Sequence, residues 1–204
     1  MKRLVSTAVV AILVAIFAIT GFAQKERSKE DLLKEIATLS NSSSADDKEK
    51  AYQTAKEFLA RFGSEKNDNV KKVRKFVESY RTSMFFKAVD GNKFQSAFTL
   101  GKEILADEPQ NVDILINLTY AGYNAMAAGD KSYVDDTISS AKKAEELIEA
   151  GTAPKSFAPF KNKPEALAWI YYIEGNLVTT RDKKAGAVSI YKATLFESPI
   201  KENA

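Results

Sequence analysis

A chain of 204 residues with no cysteine and no histidine has no disulfide framework, no thiol nucleophile and no lipid-attachment cysteine. It also lacks the commonest general base and the commonest transition-metal ligand. Its 30 basic and 27 acidic residues leave a net charge of +3, two charges of which are Lys2 and Arg3, so the body of the chain is near neutral, a balance that speaks against nucleic acid, whose phosphates call for a concentrated cationic patch.

The first segment opens on Lys2 and Arg3, continues as an uncharged run over 4–23 and contains the small residues Gly21 and Ala23. A cationic flank, an apolar middle and a small-residue site form the pattern of a secretory signal peptide over 1–23, cut after Ala23. The run is also just long enough to cross a bilayer, so an uncleaved anchor is the competing reading. Both readings export the rest of the chain, to the periplasm or beyond, or tethered to the membrane by 4–23.

Residues 24–45 are strongly charged, with Leu32, Leu33, Ile36 and Leu39 in a narrow stripe. They read either as a polar N-terminal arm or as a short docked helix. The N-S-S-S-A-D-D segment is a loop whose Ser44 can cap the next helix. That helix is predicted over 46–62, with Ala51, Ala55, Phe58, Leu59 and Phe62 on one side and Gly63 at its end. A longer helix follows over 70–89, carrying Val73, Phe76, Val77, Tyr80 and Met84. Its Lys71, Lys72, Arg74 and Lys75 suit an anionic ligand or lipid surface, or simply a solvated face interrupted by core valines.

Asp90-Gly91-Asn92 turns the chain into the stretch 94–151, around which the rest is organised. Phe94, Ala97, Phe98, Gly101, Ile104 and Leu105 recur at three- and four-residue steps, and Pro109 stops the helix they define. A second helix is predicted over 111–128, closed by Gly129-Asp130, and a third over 133–150, closed by Gly151. Short helices joined by short turns bury their apolar faces only against neighbours, so each hairpin is a layer in a stack.

The segment 152–164 contains three prolines and no apolar period, a loop in which Phe157 and Phe160 are expected to tuck against the body. A helix of aromatic character follows over 165–180, with Leu167, Trp169, Ile170, Tyr171, Tyr172, Ile173 and Leu177. Its partner over 183–197 uses Ala187, Ile190, Tyr191, Thr194 and Leu195, and Pro199 stops it.

In this last hairpin Tyr171, Gly175, Ala187, Tyr191, Thr194 and Pro199 follow the order of bulky, small, small, aromatic, small and proline positions of the tetratricopeptide repeat, which the chain resembles. On that pattern Gly175 and Ala187 let two backbones approach and Tyr191 fills the groove between layers. Glu174 departs from it, where a leucine-like residue is usual, and so does Thr194, in place of alanine. The unit ending at Pro109 matches at Ala97 and Pro109 but has Gly101 at the aromatic site and Ile104 at a small one, while the middle unit is longer than the family's repeat. The resemblance covers 70–199 and extends to the helix over 46–62. It implies an all-α fold of antiparallel helical hairpins stacked as a short right-handed solenoid over 46–199, followed by a tail over 200–204, in a divergent exported bacterial repeat protein.

The resemblance further implies that the first helix of each hairpin lines a concave groove for a protein or peptide. Carried over by position, Ile116, Tyr120, Tyr123 and Asn124 from the middle unit, and Trp169, Tyr172 and Asn176 from the last, face it. The first four share one helical face. Rings give rigid apolar area and amides pair with peptide backbone; the bland alternative is that this stripe is interhelical packing.

Nothing points to catalysis. Asp46-Asp47, Asp135-Asp136 and Glu145-Glu146 are sequence neighbours that point to different azimuths or sit at helix starts. No phosphate-binding glycine motif is present, no cofactor is expected, and Asn117-Leu118-Thr119 on a predicted helix carries no weight as a glycosylation acceptor. The reading is thus a non-enzymatic exported scaffold for a protein or peptide partner. A structural or assembly subunit of an envelope complex using edge contacts is the runner-up, and a glycan-binding protein or enzyme comes third. A stack also leaves apolar ends, which self-association through Phe157, Phe160 or the final helix would hide.

Overall fold

The computed structural model describes residues 27–152 and 154–196. The signal peptide or anchor over 1–23, Pro199 and the tail over 200–204 lie outside the described residues. Those described form eight α-helices and no strand: α1 Lys29–Ser40, α2 Ala45–Phe62, α3 Asp68–Asp90, α4 Phe94–Asp107, α5 Val112–Ala127, α6 Val134–Glu149, α7 Lys163–Thr179 and α8 Lys183–Ala193. Among them no helix is long and apolar enough to cross a membrane. They divide into two compact units, the first ending at Arg74 and the second beginning at Lys75, within α3.

In the first unit, of the two readings of 24–45, the docked helix is the one observed. Ser28 caps α1 by accepting from the Asp31 amide, while the Asp31 carboxylate accepts from the Ser28 amide, a complete capping box. Leu32 and Ile36 of α1 are buried, as are Ala51, Tyr52, Ala55 and Phe58 of α2, and the two helices pack on each other. Arg27 ties them together by pairing with Glu35 of α1 at 2.5 Å and with Glu57 of α2. The cationic cluster is exposed around the buried Val70 and Val73, with Lys71 beside Asp68 at 3.4 Å and Arg74 donating to the Gly63 carbonyl at the end of α2.

In the second unit, α4 packs on α5, α5 on α6, α6 on α7 and α7 on α8, and α5 also meets α7. Pairwise packing in chain order with contact between alternate helices is consistent with a helical-repeat arrangement. Two apolar clusters fill it. One joins Phe85 and Val89 of α3 to Phe98 and Ile104 of α4 and Ile114 and Leu118 of α5. The other joins Val112, Leu115 and Ile116 of α5 to Ala144 and Ile148 of α6 and Leu167 and Ile170 of α7. Gly129 and Gly151 close α5 and α6 with φ of +90° and +92°, the left-handed region where a side chain is strained.

The α7–α8 hairpin corrects the register expected from the repeat pattern. Ala187 is exposed; the close approach is between Gly175 and Gly186, where a Cβ on Gly175 would lie 2.9 Å from the Gly186 carbonyl oxygen and 2.6 Å from Ile190 Cγ1. Tyr191, expected between layers, is 65% exposed. The helix also ends at Ala193 rather than 197, because the Leu195 and Phe196 amides donate three residues back, tightening the last turn, and Phe196 stacks on Tyr171 at 6.0 Å. Gly175→Ala is expected to lower stability by about 1–3 kcal/mol through overpacking, while Ala187→Ser stays within about 0.5 kcal/mol of the parent chain. Urea unfolding of the two variants checks the register; the reverse ranking would restore Ala187 to the contact.

Candidate functional site

The face of α5 that carries Tyr120 and Tyr123 begins at its first turn. Asn111 caps the helix by accepting from the Ile114 amide, and one turn of polar residues then grips the loop that follows α6. Both oxygens of the Asp113 carboxylate accept backbone amides, from Lys155 and Ser156 at 2.9 Å each. Asn117, buried in the helix, donates from Nδ2 to the Asp113 carbonyl at 2.8 Å and to the Ala158 carbonyl at 3.1 Å. Its amide is thus spent on the fold, which accords with giving its glycosylation triplet no weight. At the far end of the loop Asn162 caps α7, with Pro164 in the first turn, where its missing N–H is harmless.

Held this way, the loop sets Phe160 on the body, and Phe160 is the centre of an aromatic ladder. Its ring stacks with Trp169 at 6.0 Å and 16° and meets Tyr120 edge-on at 6.2 Å and 88°. Trp169 in turn meets Tyr123 at 6.2 Å and 66° and Tyr172 at 5.9 Å and 87°. Tyr120, Tyr123, Trp169 and Tyr172 are all partly exposed, so each ring is held by its neighbours and keeps part of its surface open. Such edge-to-face pairs contribute about 0.5–1.5 kcal/mol each beyond their buried area.

The expected site residues therefore divide. Tyr120, Tyr123, Trp169 and Tyr172 come together in one strip across α5 and α7. Asn124 lies beside it on the same face of α5, partly exposed. Asn176 is one turn beyond Tyr172, and its Nδ2 donates to the Tyr172 carbonyl at 2.8 Å, leaving its oxygen free of that bond. Ile116 does not belong: it is fully buried in the core cluster, because α5 must fill the space between α6 and α7 before its outer face can serve anything else. Phe160, Asp113 and Asn117 are the residues that sequence reasoning left out of the site. The visible signal was a polar Asn117 inside the apolar run Ile114-Leu115-Ile116-Asn117-Leu118.

No family model, curated protein or solved structure matches the chain. What the strip does must come from its own chemistry.

On the opposite side of α7 lies a polar cluster. The Tyr171 hydroxyl, whose pKa burial and the Glu149 and Glu145 carboxylates push up, lies 2.8 Å from a Glu145 oxygen and 2.7 Å from a Glu149 oxygen, with its one proton to share between them. Lys192 of α8 sits 3.3 Å from Glu145 and 4.7 Å from the Tyr171 ring centroid. Glu174 is buried beside them, 3.9 Å from Lys142. Burial first, and the Glu145 carboxylate next, raise its pKa above the ordinary 4.5, against Lys142 and Lys192. Of the other sequence-adjacent carboxylates, Asp135 pairs with Arg181, Asp136 with Lys102 at 2.6 Å, and Glu146 with Lys143 at 2.9 Å, while Asp47 accepts from the Ser42 hydroxyl at 2.7 Å. Among the described residues no group of acidic side chains is arranged to hold a metal ion. A shallow concavity of about 500 Å³ between α3 and α4 is lined by Met84, Lys87, Ala88, Lys93 and Leu100 among others; it shares no residue with the strip.

Two predictions follow from these contacts. Asp113→Ala leaves two loop amides without their acceptor and is expected to cost about 1–3 kcal/mol, with amide exchange accelerated over 154–162; unchanged exchange there would show that the loop is held by its aromatic residues alone. Glu174 keeps its proton in the folded state at pH values where the unfolded chain has released it, so its contribution is complete below the ordinary value of 4.5 and is lost as pH rises through the raised folded value. Glu174→Gln, neutral throughout, is expected to flatten the pH dependence of the urea midpoint above 4.5 and to raise the midpoint at neutral pH.

Proposed function

We propose that this chain is a non-enzymatic helical-repeat scaffold that binds a protein or peptide through the aromatic strip of α5 and α7. The observation that carries the reading is the convergence of Tyr120, Tyr123, Trp169 and Tyr172, from two helices that are not consecutive in the chain, onto one partly exposed and continuous ladder. Rings whose edges are already fixed by neighbours lose little freedom when a partner covers their open side, and rigid aromatic area of this kind dominates binding energy at interfaces. A tetratricopeptide-like solenoid is the architecture this reading adopts, supported by the pairwise packing of α4 to α8 and the contact of α5 with α7. In such a stack the strip would line the inner face. The compartment we infer is outside the cytoplasm of a bacterium, on the sequence pattern of residues 1–23 alone.

A second reading has its own support. Val188 and Tyr191 of α8 and Leu195 just beyond its end are 52%, 65% and 65% exposed, an apolar edge suited to a structural or assembly subunit of an envelope complex.

The double variant Tyr123→Ala, Tyr172→Ala separates the two. It is expected to keep the helical circular dichroism of the parent chain and to lose at least about tenfold in affinity for peptides that the parent chain selects from a displayed library. Loss of helicity would show the rings to be core. Undiminished binding by a folded variant would move the contact to α8.

A further inference from the structure

Resting on the peptide-binding reading, we propose that the partner segment is uncharged, extended and rich in proline, docking in the polyproline II conformation across Tyr123, Trp169 and Tyr172.

The strip carries no charge that could select a charged peptide. Between Ile114 and Ala128 the sequence of α5 has no ionisable group other than its two tyrosines, and from Ala166 to Thr180 α7 adds only Glu174 to its tyrosines, which is buried on the other side of the helix. The two carboxylates at the strip's loop end are occupied: Asp113 by the Lys155 and Ser156 amides, Glu165 by the Lys161 amide at 3.1 Å. A charged partner would meet no counter-charge on the rings themselves; the cations Lys155 and Lys161 are exposed on the loop beside them.

The backbone chemistry of the site narrows the conformation. A partner lying as a β-strand must pair its N–H and C=O groups with a sheet edge, and the described residues contain no strand. A proline-rich segment has no such demand. Proline lacks the N–H, and polyproline II leaves its carbonyls outward with no internal hydrogen bonds, so the surface need only donate. The strip has donors to give: the Tyr123 and Tyr172 hydroxyls, the Trp169 indole N–H and the Asn124 amide, none of which hydrogen-bonds another side chain or backbone group among the described residues.

Ring geometry agrees. Tyr123 and Tyr172 stand at 66° and 87° to the Trp169 plane, with centroids 6.2 and 5.9 Å away. Phe160 stacks on Trp169 at 6.0 Å and 16°, so the four rings form a rigid apolar surface, and pyrrolidine rings dock on such aromatic surfaces with little entropy to lose. Sugar rings stack on aromatic side chains as well, so a glycan is the competing ligand for the same rings.

Trp169 is the only tryptophan in the sequence, so its emission reports the strip directly. The full chain is titrated with a polyproline peptide of about nine residues, three turns of the helix, with an alanine-serine peptide of the same length, and with a β-linked glucose oligosaccharide. The expected result is a saturable change with polyproline and at least about tenfold weaker binding of the proline-free peptide. Tyr123→Ala and Tyr172→Ala are each expected to weaken polyproline about tenfold, while Tyr191→Ala on α8 leaves it unchanged. Equal affinity for the two peptides, or selection of proline-free sequences from the peptide library with no response to polyproline, would overturn the proline preference and leave peptide binding standing. A chain that binds no peptide of either kind and none from the library, or that responds to the oligosaccharide alone, would overturn both.

Discussion

The second unit depends on a helix that is buried on two sides. Helix α5 places Ile114, Leu118 and Ala121 in one apolar cluster and Val112, Leu115 and Ile116 in the other, so removing it would leave α4 and α6 with nothing between them. A helix in that position has room for few buried polar groups, and Thr119 and Asn117, which are buried, both find partners. Thr119 donates to the Leu115 carbonyl at 2.9 Å, and Asn117 spends its amide on two carbonyls. Gly122 is small for the same reason: a Cβ there would lie 1.7 Å from Thr137 Oγ1 of α6.

The same constraint produces the candidate site. Because the inner faces of α5 are taken by core, only the row from Asp113 through Asn117 and Tyr120 to Tyr123 and Asn124 remains for other work. Its first turn holds the loop, the loop holds Phe160, and Phe160 stacks on Trp169 of α7. The strip is thereby a product of packing around one helix rather than of a local motif, which is why its members lie so far apart in the chain.

Burying Glu174 between α6 and α8 is an expense of the opposite kind. An apolar residue of similar volume would avoid the desolvation, and replacing buried charge by well-packed apolar groups is often neutral or stabilising. The Tyr171 hydroxyl bridging two α6 carboxylates, and Lys192 reaching from α8 to Glu145, make this cluster a three-helix contact. A directional network of that kind sets how α8 seats on the hairpin before it, where shape alone, with two glycines in contact, would let the helices slide.

All the helices but the first, whose segment read equally as a polar arm, and the ends of most of them were legible in the sequence alone, because apolar period, capping residues and Gly or Pro stops are local properties. The helix predicted over 46–62 is observed as Ala45–Phe62, and that over 133–150 as Val134–Glu149. The chemistry of the strip was legible in part: spacing put Tyr120 and Tyr123 on one face of a helix, while Trp169 and Tyr172 were expected near them only from the repeat pattern that the chain resembles. Tertiary structure decided the rest. Whether Ile116 faces outward or inward, whether Gly186 or Ala187 meets Gly175, and whether Phe160 belongs to the site all turn on how far one helix rotates about its axis against the next. One residue is about 100° of that rotation, and several neighbouring residues of similar size compete for each contact, so the choice among them is made only when the helices are packed together.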